Sequence, residues 1–139
     1  MSIFIFESIN KFTSDRNTIT KIEPLLLELK SKLNIKDDEF YNIMIATTEA
    51  VNNAVNHGNK LNPNKFVDFN IYANENEIII TIKDEGEGFN PDEIDDCLQP
   101  ENLLKTSGRG VFLIKKLMDE VLIDSNYDGT KITMKYYFK

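Results

Sequence analysis

A lone cysteine, Cys97, rules out an intrachain disulfide and makes a reducing interior the natural home of the chain. Histidine is as scarce: His57 and that one thiol cannot build a standard zinc site. Ser-His-Asp catalysis would have to use His57, and no nucleophile-elbow sequence accompanies it. No apolar run approaches the length of a membrane span, so no membrane role is expected. The start, MSIFIFESINKF, has too short an apolar stretch and no basic segment for a secretory signal. Positive charge is in deficit, with 16 Lys and Arg against 23 Asp and Glu and a net charge of −7. That balance sets the molecule against a polyanion and argues against nucleic acid as a partner. A nucleotide stays possible, because a local nest of backbone N–H groups overrides the global field. Internal repeats and low-complexity stretches are also missing. What is present is 41% hydrophobic residues with nine phenylalanines, enough for the core of one cytoplasmic domain spanning residues 1–139.

Periodicity divides the chain into elements. SIFIFES, near the N-terminus, alternates imperfectly and is rich in Ile and Phe, which predicts a strand. Thr13, Ser14 and Asp15 offer caps for a helical region reaching Leu33, with a kink or a helix start near Glu23 imposed by Pro24. A second helix is expected from Asp37 and Asp38 to about Gly58, burying Phe40, Ile43, Thr47, Ala50, Val51 and Ala54. NKLNPN is a turn-rich connection. FVDFNIYA and EIIITIKD read as strands of a hairpin turning at Asn74–Glu75–Asn76. No long periodic pattern runs from Glu85 to Ser107, apart from a short turn at PDEIDDC. A third helix, GVFLIKKLMDE, opens after Gly108–Arg109–Gly110, and strands VLIDSN and TKITMKYYF close the chain around Tyr127–Asp128–Gly129. This order predicts an α/β (α+β) two-layer sandwich, with helices on one face of a mixed, mostly antiparallel sheet.

Three stretches stand apart from ordinary packing. In TTEAVNNAVNHGN, residues 47–59, Glu49, Asn53 and His57 recur every four residues and form one polar stripe, since four residues advance a helix by about 40°. Such a stripe is usually the wet side of an amphipathic helix. Here Asn52, Asn53 and Asn56, all mediocre helix formers, crowd the same turn and offer neutral oxygens that can ligate a hard cation such as Mg2+. His57 suits a phosphate neighbour or a helix cap better than a base. In DEGEGF, residues 84–89, Gly86 and Gly88 permit a turn but no second strand follows promptly, and a loop of that length is more often functional than idle. Asp84, at the end of a buried strand, could accept a hydrogen bond from an exocyclic amine. SGRGVFLIKK, residues 107–116, is a glycine-rich turn entering a helix, an arrangement that makes an anion site from free N–H groups and the helix dipole. It matches neither the P-loop nor the dinucleotide fingerprint.

In order and spacing, Glu49-x-x-x-Asn53-Ala54-x-x-His57-Gly58, Asp84-x-Gly86-x-Gly88 and Gly108-x-Gly110 resemble the N, G1 and G2 boxes of the GHKL ATPase superfamily, which has the Bergerat ATP-binding fold. Gly129–Thr130 is similar to its late-strand threonine, and the likeness runs from about residue 13 to the end. No phosphoacceptor helix of a histidine kinase is present, since the only histidine sits in the N box. TEAVNNAVNHGNK and GRGVFLIKKLMDEV resemble the stand-alone anti-sigma-factor serine/threonine kinases of bacteria, the RsbW type.

The resemblance implies ATP and Mg2+ as cofactors, a sigma factor and a small anti-sigma-factor antagonist as partners, and a homodimer. It makes Glu49 the general base and Asn53 the Mg2+ ligand, with His57 near the phosphates. Asp84 would read the adenine amine with support from Thr130, and Gly86 and Gly88 would admit the ring. Gly108, Arg109 and Gly110 would cradle the phosphates beneath a lid at about 89–107. One departure stands out: these kinases often carry an arginine just before the Ser-Gly of the G2 box, and here Thr106 occupies that place. Lys105 or Arg109 would have to supply the charge. A nucleotide-gated binding module without kinase activity, and the ATP-binding part of a split histidine kinase, are the alternatives.

Overall fold

A computed structural model describes residues 4–87 and 106–139. Gly88, Lys105, the turn at PDEIDDC and the lid as far as residue 105 lie outside the described residues. The elements are β1 (Phe6–Thr13), α1 (Thr18–Leu33), α2 (Asp37–Asn52) continued by a π-helical turn (Asn53–Gly58), β2 (Phe66–Ala73), β3 (Glu77–Lys83), α3 (Thr106–Leu117), β4 (Glu120–Asn126) and β5 (Gly129–Tyr137). The sheet order is β1-β2-β3-β5-β4, and every neighbouring pair is antiparallel rather than mixed as expected.

Strict alternation sends half of each inner strand to one face. Val67, Phe69 and Ile71 of β2, Ile78, Ile80 and Ile82 of β3, and Ile132, Met134 and Tyr136 of β5 are buried there. The register sets Phe69 beside Ile82 and Ile80 beside Met134. Ile22, Leu26 and Leu29 of α1, Ile43, Ala46 and Val51 of α2 and Ile114 of α3 complete the same core. The other face carries a row of charges, one from each strand: Lys11, Asp68, Lys83, Lys131 and Asp124 are successive cross-strand partners. Those side chains keep that face wet and the fold at two layers.

Four boundaries differ from expectation. β1 begins at Phe6 and runs on through Asn10–Lys11–Phe12, because pairing with all of β2 outweighs the weak alternation there. α1 starts at Thr18 and passes through Pro24 without a break. Thr18 fixes that start, its hydroxyl donating to the Thr13 carbonyl at 2.8 Å and accepting the Asp15 N–H at 3.0 Å. Pro24 and Thr20, whose carbonyl loses its helical partner, are both exposed, so water can satisfy that carbonyl. α2 stops being α-helical at Asn52: the Asn59 N–H reaches back five residues to Ala54 O, a wider turn than an α-helix makes. α3 opens at Thr106, so Gly108, Arg109 and Gly110 lie inside its first turns rather than ahead of it.

Thr47 of α2 is fully buried and its hydroxyl has no hydrogen-bond partner among the described residues. An unpaired buried hydroxyl costs about 1–3 kcal/mol. We predict that the near-isosteric Thr47→Val raises unfolding stability by about 1 kcal/mol. A urea midpoint equal to or below the parent's would mean that the hydroxyl has a partner in solution.

Candidate functional site

The end of β3, the start of β5 and the π-helical turn meet around one carboxylate. Asp84 is 5% exposed. Its N–H donates to Thr130 O at 2.9 Å, while Oδ1 accepts the N–H of Gly86 at 2.9 Å and of Thr130 at 3.1 Å. Burial pushes the Asp84 pKa above the ordinary carboxylate value, against the pull of those two N–H groups and of the charges on Lys65 and Lys83. Glycines make this crowding possible. A Cβ on Gly58 would overlap the Asp84 carboxylate, and one on Gly86 would overlap the Gly58 carbonyl. Gly129, at φ +132°, has a conformation that other residues rarely adopt, and a Cβ there would overlap the Asp84 carbonyl. Thr130 thus supports Asp84 through its backbone, while its hydroxyl shares a 2.8 Å hydrogen bond with Ser125 on β4.

A second cluster lies on the same helix upstream. Glu49 and Asn53 face Gly110 of α3. The position a Gly110 Cβ would occupy is 3.0 Å from Glu49 Oε2, 3.2 Å from Asn53 Nδ2 and 3.4 Å from Asn53 Oδ1. Any larger residue at 110 would press on both groups. Asn53 Nδ2 is buried without a hydrogen-bond partner among the described residues. A buried amide left unpaired in a helix is costly, and it marks a place where a polar ligand would be welcome. The arrangement pairs a half-buried carboxylate, able to take a proton, with a free amide, able to turn its oxygen or its N–H outward.

The structure brings together Asp84, Gly86 and Thr130 in one cluster and Glu49, Asn53 and Gly110 in the other. It does not bring His57 into either: the side chain is exposed on the π-helical turn, whose wider pitch breaks the four-residue stripe after Asn53. Gly108 and Arg109 sit in the first turn of α3, the part of a helix whose N–H groups lack intrahelical acceptors. Three residues that shape the site went unselected in the sequence. Gly58 stood only as the last residue of the N box at a helix end, Gly129 only as the turn residue before the late-strand threonine, and Asn59 as the start of a turn-rich connection. Only their closeness to residues 84–86, which spacing cannot reveal, gives them away.

The donor set fits a nucleotide carrying a divalent cation. A buried acceptor and glycine-lined backbone form one half, and an unpaired amide beside a helix start forms the other. Among the described residues no three His, Cys, Asp or Glu side chains converge as a metal site of their own, so a cation here would draw most of its ligands from a bound phosphate and water. No described helix is long and apolar enough to cross a membrane.

Comparison with known proteins gives a consistent picture. The histidine kinase-like ATPase domain family matches residues 12–136. The anti-sigma F factor of Geobacillus stearothermophilus is 33% identical over 110 residues, covering 76% of this chain and 74% of that one. The serine-protein kinase RsbW of Staphylococcus aureus (strain JH9) is 38% identical over 110 residues, covering 73% and 68%. Among solved structures, the RsbU and RsbW domains of a Mycobacterium tuberculosis protein superpose with a TM-score of 0.66 at 17% identity, over 94% of this chain and 32% of that one. The mycobacterial sensor histidine kinase MprB gives 0.56 at 16% identity, over 94% and 97%. At those identities the structural matches speak for the fold alone.

Proposed function

The chain belongs to the histidine kinase-like ATPase family, and within it we propose a protein serine/threonine kinase that doubles as an anti-sigma factor. It would sequester a sigma factor and phosphorylate a small antagonist of that sequestration. The observation that carries the reading is the pairing of Glu49 with the unpartnered Asn53 amide under Gly110, a base and a ligand set at one helix start. Two relatives of similar length, named anti-sigma F factor and serine-protein kinase RsbW, support the same assignment.

In this reading Asp84 accepts the amine of adenine, and Gly86 lets the ring approach the backbone. Asn53 offers its amide oxygen to Mg2+, and the first turn of α3 turns its N–H groups toward the phosphates. Bound Mg-ATP supplies the phosphoryl group and the charge neutralisation that its transfer requires. Glu49 would take the proton of the acceptor hydroxyl as its oxygen bonds to the γ-phosphorus and the bond from that phosphorus to ADP breaks, so that ADP leaves and the carboxylate is the only acceptor assigned to the proton. By family likeness alone, His57, Lys105 and Arg109 are assigned to the phosphates and Gly88 to the approach of the ring.

The protein would work in the cytoplasm, as a homodimer. Support for the dimer comes from β1, an edge strand with Ile5 and Ile9 exposed. Incubation with labelled ATP and the candidate antagonist tests the kinase directly. Phosphoserine or phosphothreonine on the antagonist is the expected product, and its absence alongside retained ATP and sigma-factor binding would favour the gated binding module.

A further inference from the structure

Asn59 closes the stretch 47–59 without a role in any motif used above, yet it is 1% exposed at the exit of the π-helical turn. Its Nδ2 donates to Ser14 Oγ at 2.6 Å and to Phe66 O at 2.9 Å, and its Oδ1 accepts the Glu85 N–H at 2.7 Å. The Phe66 N–H in turn donates to Glu85 Oε1. Asn59, Phe66 and Glu85 therefore close a ring of three hydrogen bonds across the π-helical turn, the first residue of β2 and the loop leaving β3. The neighbours of this ring are the site itself. Gly58 precedes Asn59 and abuts the Asp84 carboxylate, and Gly86 follows Glu85 and abuts the Gly58 carbonyl.

We propose that Asn59 is a positioning residue for the nucleotide, fixing the Asp84–Gly86 loop to the same turn that begins at Asn53. The inference rests on the ATP-binding reading above. Asn59 itself touches neither cluster's functional atoms, and it acts by setting the spacing between a base-reading half and a phosphate-and-metal half. Without its amide the Glu85 N–H loses its acceptor, and the loop keeps only the Phe66 N–H bond to the Glu85 side chain and the bonds of Asp84 to Gly86 and Thr130. A ligand that must satisfy both halves at once then meets the wrong spacing.

The test measures Mg-ATP affinity by calorimetry in purified variants, with thermal midpoints taken alongside. Asn59→Ala should weaken Mg-ATP by about 10–100-fold, the scale of a small misplacement in a preorganised site, and should reduce the preference for ATP over GTP. Glu85→Ala breaks the ring at an exposed side chain, so it keeps the fold testable if Asn59→Ala does not fold. It should weaken ATP in the same direction by less, and Glu85→Gln, which retains the acceptor oxygen, should restore affinity. The double variant should be no weaker than Asn59→Ala alone, because both act on one ring. Ser14→Ala removes a different bond of the same amide and should lower the midpoint while leaving ATP affinity unchanged. The proposal is overturned if folded Asn59→Ala binds ATP like the parent. It is equally overturned if Glu85→Ala leaves affinity unchanged, or if Ser14→Ala weakens ATP as much as Asn59→Ala. Failure of the parent itself to bind ATP is a separate result, and it removes the nucleotide reading beneath the proposal.

Discussion

Glu49→Gln is expected to lose about 10²–10⁴-fold in phosphorylation of the antagonist while its affinity for Mg-ATP stays within about 1 kcal/mol of the parent's. The asymmetry follows from when the carboxylate acts. A general base takes its proton only as the transition state forms, so removing it raises the barrier without loosening the bound ground state. Glu49 Oε2 lies 3.0 Å from the position a Cβ on Gly110 would occupy, so the amide of Gln fits the same space. Asn53→Ala should behave differently. Removing the amide proposed to hold Mg2+ should weaken Mg-ATP itself, and the loss should shrink when nucleotide is titrated without Mg2+. Quench-flow turnover and calorimetry on the same preparations separate the two. If Glu49→Gln phosphorylates at the parent rate, no base is needed at 49 and the general-base role of Glu49 fails, while the phosphorylation itself still marks a kinase.

Most of the sheet was legible because its strands alternate cleanly. β2 and β3 lie where FVDFNIYA and EIIITIKD placed them, and the hairpin between them turns at Asn74, whose side chain accepts the N–H groups of Asn76 and Glu77. The buried side of α2 was legible for the same reason, with Phe40, Ile43, Thr47, Ala50, Val51 and Ala54 all buried. What the sequence hid was set by distant contacts. Pro24 argued for a kink or a start near Glu23, yet α1 runs through it, since its first turn is fixed by Thr18 and Asp15 and both Pro24 and Thr20 are exposed to water. The change from α- to π-helix at Asn53 has no periodic signature. It is maintained where Asn59, forty-five residues from Ser14 and twenty-six from Glu85, is drawn into the interior. Glu49, Asn53 and Asp84 could be given roles from motif order, whereas Gly58 and Gly129, which the motifs contain, and Asn59 could not be given theirs. Their importance lies in what they touch, and that contact forms only when the chain has closed.

Asp84→Asn is expected to weaken ATP and ADP alike by about 1–3 kcal/mol, roughly 5–150-fold, and at the same time to stabilise the nucleotide-free protein at neutral pH. The first effect comes from replacing an ionised acceptor by a neutral amide that can also present its N–H to the adenine amine, which should also erode the choice of adenine over guanine. The second comes from burial. Asp84 holds its pKa above the ordinary 3.8 chiefly through desolvation, with the Gly86 and Thr130 N–H groups and the charges of Lys65 and Lys83 opposing it. The folded protein therefore binds the proton more tightly than the unfolded chain does. The stability associated with protonated Asp84 is fully present below 3.8 and is lost as pH rises through the raised folded value. Asn carries no such charge and can still accept both backbone N–H groups through its oxygen. The variant's advantage should accordingly be greatest near neutral pH and should fade as pH falls toward 3.8, where the parent's carboxyl is itself neutral. Urea unfolding of both proteins across that range, without nucleotide, measures the difference. A stability gap that stays constant with pH would show that the Asp84 carboxylate is not penalised in the fold. An unchanged ATP affinity would remove Asp84 from the base-reading role. The two outcomes are independent, since one concerns what burial costs the empty site and the other what the buried acceptor returns when adenine is bound.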